Sequence, residues 1–142
     1  MTTVALHAVD GEQLTRADLE QLVEMWQHRL GFDRWGIRID WAIPAADAAA
    51  EIKPWHVYDY ATIRFNQTAE KGFQTWSRTI ANRNVVHELL HLALRDVDYA
   101  VETGELVMST PVWKLFEANV DNACEAAIDR LATVIVDLAG AV

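Results

Sequence analysis

The spacing of apolar residues changes period along the chain. Leu19, Leu22, Val23, Trp26 and Leu30 recur at helical intervals after Thr15-Arg16-Ala17-Asp18, which fits a capping box, and Gly31 supplies a stop. This predicts an amphipathic helix over 15–30. From Trp35 to Ile43 the period falls to two. Ile37, Ile39 and Trp41 share one face, and Arg38, Asp40 and Ala42 the other, the pattern of a half-buried strand that Pro44 ends. Alternation returns at Val57–Asn66, where Asp59 is a misfit on the apolar side, so a second strand is placed at 60–66. Between them, the Ala-rich residues 45–53 fit a short helix or a loop equally well. Residues 1–13 show no clear periodicity.

The second half reads as helical. A polar connector over 67–77 contains Gly72, with Phe73 and Trp76 expected to pack inward. Ser77 or Thr79 can then cap a helix at 78–95. Its Val85, Val86, Leu89, Leu90, Leu92, Ala93 and Leu94 make it apolar nearly all round, as suits a helix inside a small domain. Residues 97–110 are mixed and read as a loop with a partial helix. Thr110-Pro111 is a helix start, a capping threonine followed by proline at the first helical position. A final helix over 111–139 carries the stripe Phe116, Val120, Ala123, Ala127, Leu131, Val134 and Leu138.

The chemistry sits in the apolar helix. His87-Glu88-Leu89-Leu90-His91 is the HExxH pattern of zinc hydrolases. Residues four apart share a helix face, so His87 and His91 can reach one ion, with Glu88 beside it to take a proton from water. Composition alone would produce such a match in about 1% of chains of this kind. Buried imidazoles and a carboxylate in so apolar a setting need a partner, and a metal ion is one.

A catalytic zinc takes three protein ligands and an open position. The HExxHxxGxxH continuation is absent, because Leu92-Ala93-Leu94-Arg95-Asp96-Val97 follows His91. A carboxylate from the final helix is the remaining choice, and Glu117, Asp121 and Glu125 recur every four residues there. Glu117 lies nearest the apolar stripe and is the choice by periodicity. Cys124 reads as a small core residue rather than a thiolate ligand.

Together with the HExxH segment, Glu125-Ala126-Ala127-Ile128-Asp129-Arg130-Leu131-Ala132 resembles the small gluzincin-type metallopeptidases (minigluzincins), compact thermolysin relatives often encoded by phages. The resemblance covers most of residues 15–140, although only these two motifs are specific. It implies an α+β, zincin-like domain. A small mixed sheet would pack with an N-terminal helix, the HExxH helix and a long C-terminal helix. It also implies zinc held by His87, His91 and Glu125, with Asp129 orienting a ligand histidine. Glu88 would be the general base. An oxyanion donor is expected as well: Tyr99 is the first choice, with Tyr58, Tyr60 and His56 as weaker ones. If the second strand were an exposed edge, an extended peptide could pair with it.

Composition narrows the alternatives. The chain has 142 residues, 51% hydrophobic, which suits a single domain spanning 1–142, and no internal repeat or linker divides it. A net charge of −9 argues against nucleic acid as a partner. The single cysteine excludes an internal disulfide and suggests a reducing, cytoplasmic setting. No secretory signal or membrane span is expected. The expected partner is a peptide or protein substrate, and the oligomeric state is open. The competing readings are a zinc-binding regulatory or interaction protein without proteolytic activity, and a metal-free helical module in which the motif is accidental.

Overall fold

The computed structural model describes residues 13–42, 44, 48–55 and 57–140. Helix α1 spans Arg16–Arg29 and opens with the reciprocal cap expected from its sequence. The Asp18 amide donates to Thr15 Oγ1 at 3.2 Å and the Thr15 amide to Asp18 Oδ2 at 2.8 Å. Gly31 follows the last turn at φ +77°, a conformation that favours glycine. Leu19, Leu22, Val23 and Trp26 form the buried stripe.

Three strands follow: β1 (Gly36–Ile39), β2 (Ala50–Pro54) and β3 (Tyr60–Phe65). They form one mixed sheet of order β1-β3-β2, with β1 parallel and β2 antiparallel to β3. Strand β3 matches its predicted position, and its Ala61, Ile63 and Phe65 are buried on the inner face. Strand β1 is shorter than the alternation suggested, ending at Ile39. Trp41 still packs inward against Phe65 and Phe73. Strand β2 arises where the Ala-rich pattern allowed only a helix or a loop. Its backbone is paired by β3, and Ala50 and Ile52 reach the core. Small residues carry little strand propensity of their own, so pairing decides the matter.

Ser77 caps α2 (Arg78–Leu90) by accepting from the Ile80 amide at 3.1 Å. The helix tightens into a 3-10 turn over His91–Leu94 and continues as α3 (Arg95–Thr103), so the mixed segment holds more helix than expected. The last helix, α4, spans Thr110–Ala139 with Pro111 in its first turn; its N-cap is Ser109, which makes no side-chain cap bond, so the expected capping Thr110 lies inside the helix instead. Its buried residues are Ile128, Ala132 and Val136. The apolar stripe read from the sequence lies on the other side. Phe116, Leu131, Val134 and Leu138 are all exposed, Leu138 by 83%.

The core gathers α1, the inner sheet face and α2, whose Ala81, Val85, Val86 and Leu89 are fully enclosed. One polar group is buried there with both needs met. Asn82 accepts from Trp26 Nε1 at 2.7 Å and donates to the Arg78 carbonyl at 2.7 Å. Arg95 ties the β2–β3 loop to the end of the motif segment. It bonds Asp59 Oδ1 at 2.8 Å and the Tyr58 carbonyl at 3.1 Å, and lies over the Trp35 ring. The architecture is α+β, and no helix among the described residues is long and apolar enough to cross a membrane.

Candidate functional site

Helix α2 presents His87 and Glu88 in its last turn, and the 3-10 turn begins at His91 without breaking the spacing. The two Nε2 atoms stand 3.3 Å apart. Helix α4 crosses this face and sets the Glu125 carboxylate between them, with Oε2 3.1 Å from His87 Nε2 and Oε1 2.9 Å from His91 Nε2. Of the three acids that spacing left open, this is the one brought to the histidines. Glu117 and Asp121 line a neighbouring cavity of about 390 Å³ with Asp98 and Glu102.

The reason Glu125 wins over Glu117 follows from the orientation of α4. The stripe that favoured Glu117 faces solvent, so the residue farthest from it is the one turned towards α2. Periodicity identified an apolar face correctly and assigned it to the wrong side.

Electrostatics constrain the cluster further. His87 Nδ1 contacts Asp129 Oδ1 at 2.7 Å, which holds the ring proton on Nδ1. His87 Nε2 then offers a lone pair, yet it faces a Glu125 oxygen that is also an acceptor. Two acceptors at 3.1 Å need a proton or a metal ion between them. Burial pushes the His91 imidazole below its usual value against the pull of Glu125, and His87 lowers it further, which favours the neutral ligating form. Tetrahedral zinc with bonds of about 2.0 Å needs donors about 3.3 Å apart. The two histidine nitrogens stand at that spacing, one donor atom from each of the three residues lies within 4.8 Å of the others, and among the described residues this is the group that could hold a metal.

Glu88 is 8% exposed, beside these donors and 4.0 Å from His87 Nε2. Burial pushes its carboxyl up to about 7, with His87 pulling it down and Glu125 adding to the rise. The Ile52 amide donates to it. That bond shows which way β2 looks. β2 is an edge strand, and the Ile52 N–H turns away from β3 towards the histidines.

A cavity of about 500 Å³ lies over the cluster, walled by Ala48–Ile52 on one side and by α2 and α4 on the other. The edge that lines it is therefore β2. Strand β3, considered for this role from the sequence, is central and paired on both sides. Tyr99 lies on α3, half exposed, outside the residues that line this cavity. Tyr58 and Tyr60 line a separate hollow with Trp55 and Arg38 on the outer side of the sheet. His56 lies outside the described residues. Sequence reasoning passed over Asn84, which lines the cavity one turn before His87. Its position four residues before Glu88 was the available signal. Compared with protein-family models, with curated proteins and with solved structures, the chain matches none.

Proposed function

We propose that this protein is a zinc-dependent metallopeptidase of the small gluzincin type, with a zincin-like arrangement of sheet and motif helix. The observation that carries the reading is the convergence of His87 Nε2 and His91 Nε2, 3.3 Å apart, on the Glu125 carboxylate, one oxygen 3.1 Å from the first and the other 2.9 Å from the second, while Asp129 occupies the far nitrogen of His87. Histidine ligands whose second nitrogen is held by a carboxylate are the usual form of such sites.

Bound there, zinc would acidify a water and polarise the scissile carbonyl. The protein's own groups do the rest. Glu88, walled off from bulk solvent, accepts the proton of the attacking water and passes it to the leaving amine. Asp129 keeps His87 in the tautomer that ligates. The outer edge of β2 offers backbone groups along which an extended peptide can lie as an added strand, its scissile bond over the histidines. Asn84 supplies an amide on the opposite wall to steady the substrate backbone. The substrate is thus a peptide or an extended protein segment, and the single cysteine fits a cytoplasmic setting.

The decisive experiment measures zinc per chain in untagged wild type, Glu125→Gln and Glu117→Gln, followed by peptide-library cleavage with Glu88→Gln as control. Metal near one equivalent, lost in Glu125→Gln and kept in Glu117→Gln, is expected. A wild type that binds no zinc when supplied with it overturns the reading. One observation favours a second reading, a zinc-binding regulatory protein of the same fold. Among the described residues, no tyrosine lines the cavity to serve as oxyanion donor. Zinc binding without cleavage of any library member would select it.

A further inference from the structure

The outward face of α4 is apolar over nearly its whole length. Val112, Leu115, Phe116, Leu131, Val134 and Leu138 expose between 40% and 83% of their surface, and Ala123 and Ala127 are exposed between them. We propose that this face pairs with the same face of a second copy, the two α4 helices running antiparallel about a twofold axis. This inference stands apart from the zinc site, which is on the other side of the helix.

Three features favour a second copy. The first is spacing. Positions 112, 116, 119, 123, 127, 131, 134 and 138 are separated by 4, 3, 4, 4, 4, 3 and 4 residues, the same series read in either direction. In an antiparallel pair each position therefore meets another: Val112 faces Leu138, Phe116 faces Val134, Asn119 faces Leu131, and Ala123 faces Ala127 of the other copy. Self-complementarity of this kind is what a twofold interface requires. The small alanines fall at the centre, where they let the helix axes approach to about 8 Å, and the large residues fall at the ends. Two of its rows, 112/123/134 and 116/127/138, recur every 11 residues, which keeps an apolar stripe nearly straight along a helix.

The second is charge. The chain carries −9, yet none of this acidity is on the stripe. Glu117 and Asp121 line the acidic cavity, Glu125 and Asp129 bond the histidines, and Asp137 pairs with Arg83 of α2 at 3.0 Å. The stripe's one charged residue, Arg130, would stand about 15 Å from its symmetry mate along the axis. The third is area. At about 1.5 Å per residue and about 10 Å of width, the stripe covers about 400 Å², the size of a typical monomer's largest apolar patch, which is often a functional one. Two copies with their flanking side chains reach about 1,000 Å², the floor for a specific interface. The dimer is accordingly a concentration-dependent one.

Sedimentation of the full chain from low to high micromolar concentration tests this, alongside thermal melting. The wild type is expected to rise from its 16.0 kDa chain mass towards twice that value. Leu131→Glu and Val134→Glu should hold it at the monomer mass, with melting at low concentration unchanged because both sites are exposed. In a Cys124→Ala background, Ala127→Cys should cross-link between copies with a short bis-maleimide, and Val112→Cys should not, its mates lying about 39 Å apart. A wild type monomeric throughout overturns the proposal. If Leu131→Glu also melts lower as a monomer, the stripe is covered from within, which overturns it too. Dimers that survive Leu131→Glu, or cross-linking at Val112→Cys, exclude this pairing.

Discussion

Helices α2 and α4 both look apolar in sequence, and the molecule uses them in opposite ways. Helix α2 is enclosed by α1, the sheet and α4, so its apolar residues fill the core and its polar ones survive only with partners. Asn82 is satisfied by Trp26 and Arg78, and Glu88 by the Ile52 amide. Helix α4 covers α2 on one side only. It turns a mixed face of Ile128, Ala132, Val136 and two carboxylates inward, and its most regular apolar face outward. The lesson is that periodicity reports a coherent face without reporting what the face meets.

The largest effect that would sharpen the contrast is chemical. Glu88→Gln on α2 should lower peptide cleavage by about 10²–10⁴-fold with zinc content unchanged, whereas Glu117→Gln on α4 should leave both intact. Equal losses from the two would erase the distinction between the helices. Packing comes next. Leu89→Ala, at a fully buried site, should cost about 2–5 kcal/mol in denaturant unfolding. A Leu89→Ala variant as stable as wild type would mean that α2 is not the centre of the core.

Asp129→Asn is expected to weaken zinc affinity by about 10–100-fold in a competition titration without unfolding the chain, because the amide no longer fixes the His87 proton. Unchanged affinity would remove Asp129 from the site. Smaller again is the cap of α1. For Asp18, burial opposes ionisation, and the hydrogen bonds from Thr15 with the Arg78 guanidinium outweigh it, leaving its carboxyl below its ordinary 3.8. A lowered folded value means that this stabilisation is present above the ordinary range and fades as pH falls through it. Asp18→Ala should therefore cost about 1 kcal/mol at neutral pH and less under acid. The smallest change belongs to the outward face. Leu131→Ala, in protein dilute enough to be monomeric, should alter stability by less than about 0.5 kcal/mol. A loss as large as that of Leu89→Ala would show the stripe to be buried after all.

Much of this was legible along the chain. Local signals were the reliable ones: the Thr15–Asp18 box, the Ser77 cap, the Thr110-Pro111 start and the alternation at 60–66 each depend on residues within a few positions of one another. Strand β2 was not legible, because alanines carry no period and its strand character comes from pairing with β3. The cleft edge was misjudged for the same reason. Which strand ends a sheet is a property of the sheet.

The sequence by itself determined that His87, Glu88 and His91 would share a helical turn, because four residues are close to one turn. It also pointed to a carboxylate on the last helix as the group to complete such a site. The motif at 125–132 pointed to Glu125 and Asp129 only by resemblance; the tertiary structure brings Glu125 to both histidines and Asp129 to His87, and it alone shows that β2 walls the cleft. Each of those depends on how α4 is rotated about its axis and on which strand is left unpaired. Rotation is set by what packs beneath α4, where Ile128, Ala132 and Val136 meet α2. A more regular apolar stripe on the opposite face does not reverse it, because none of the described elements lies there to receive it.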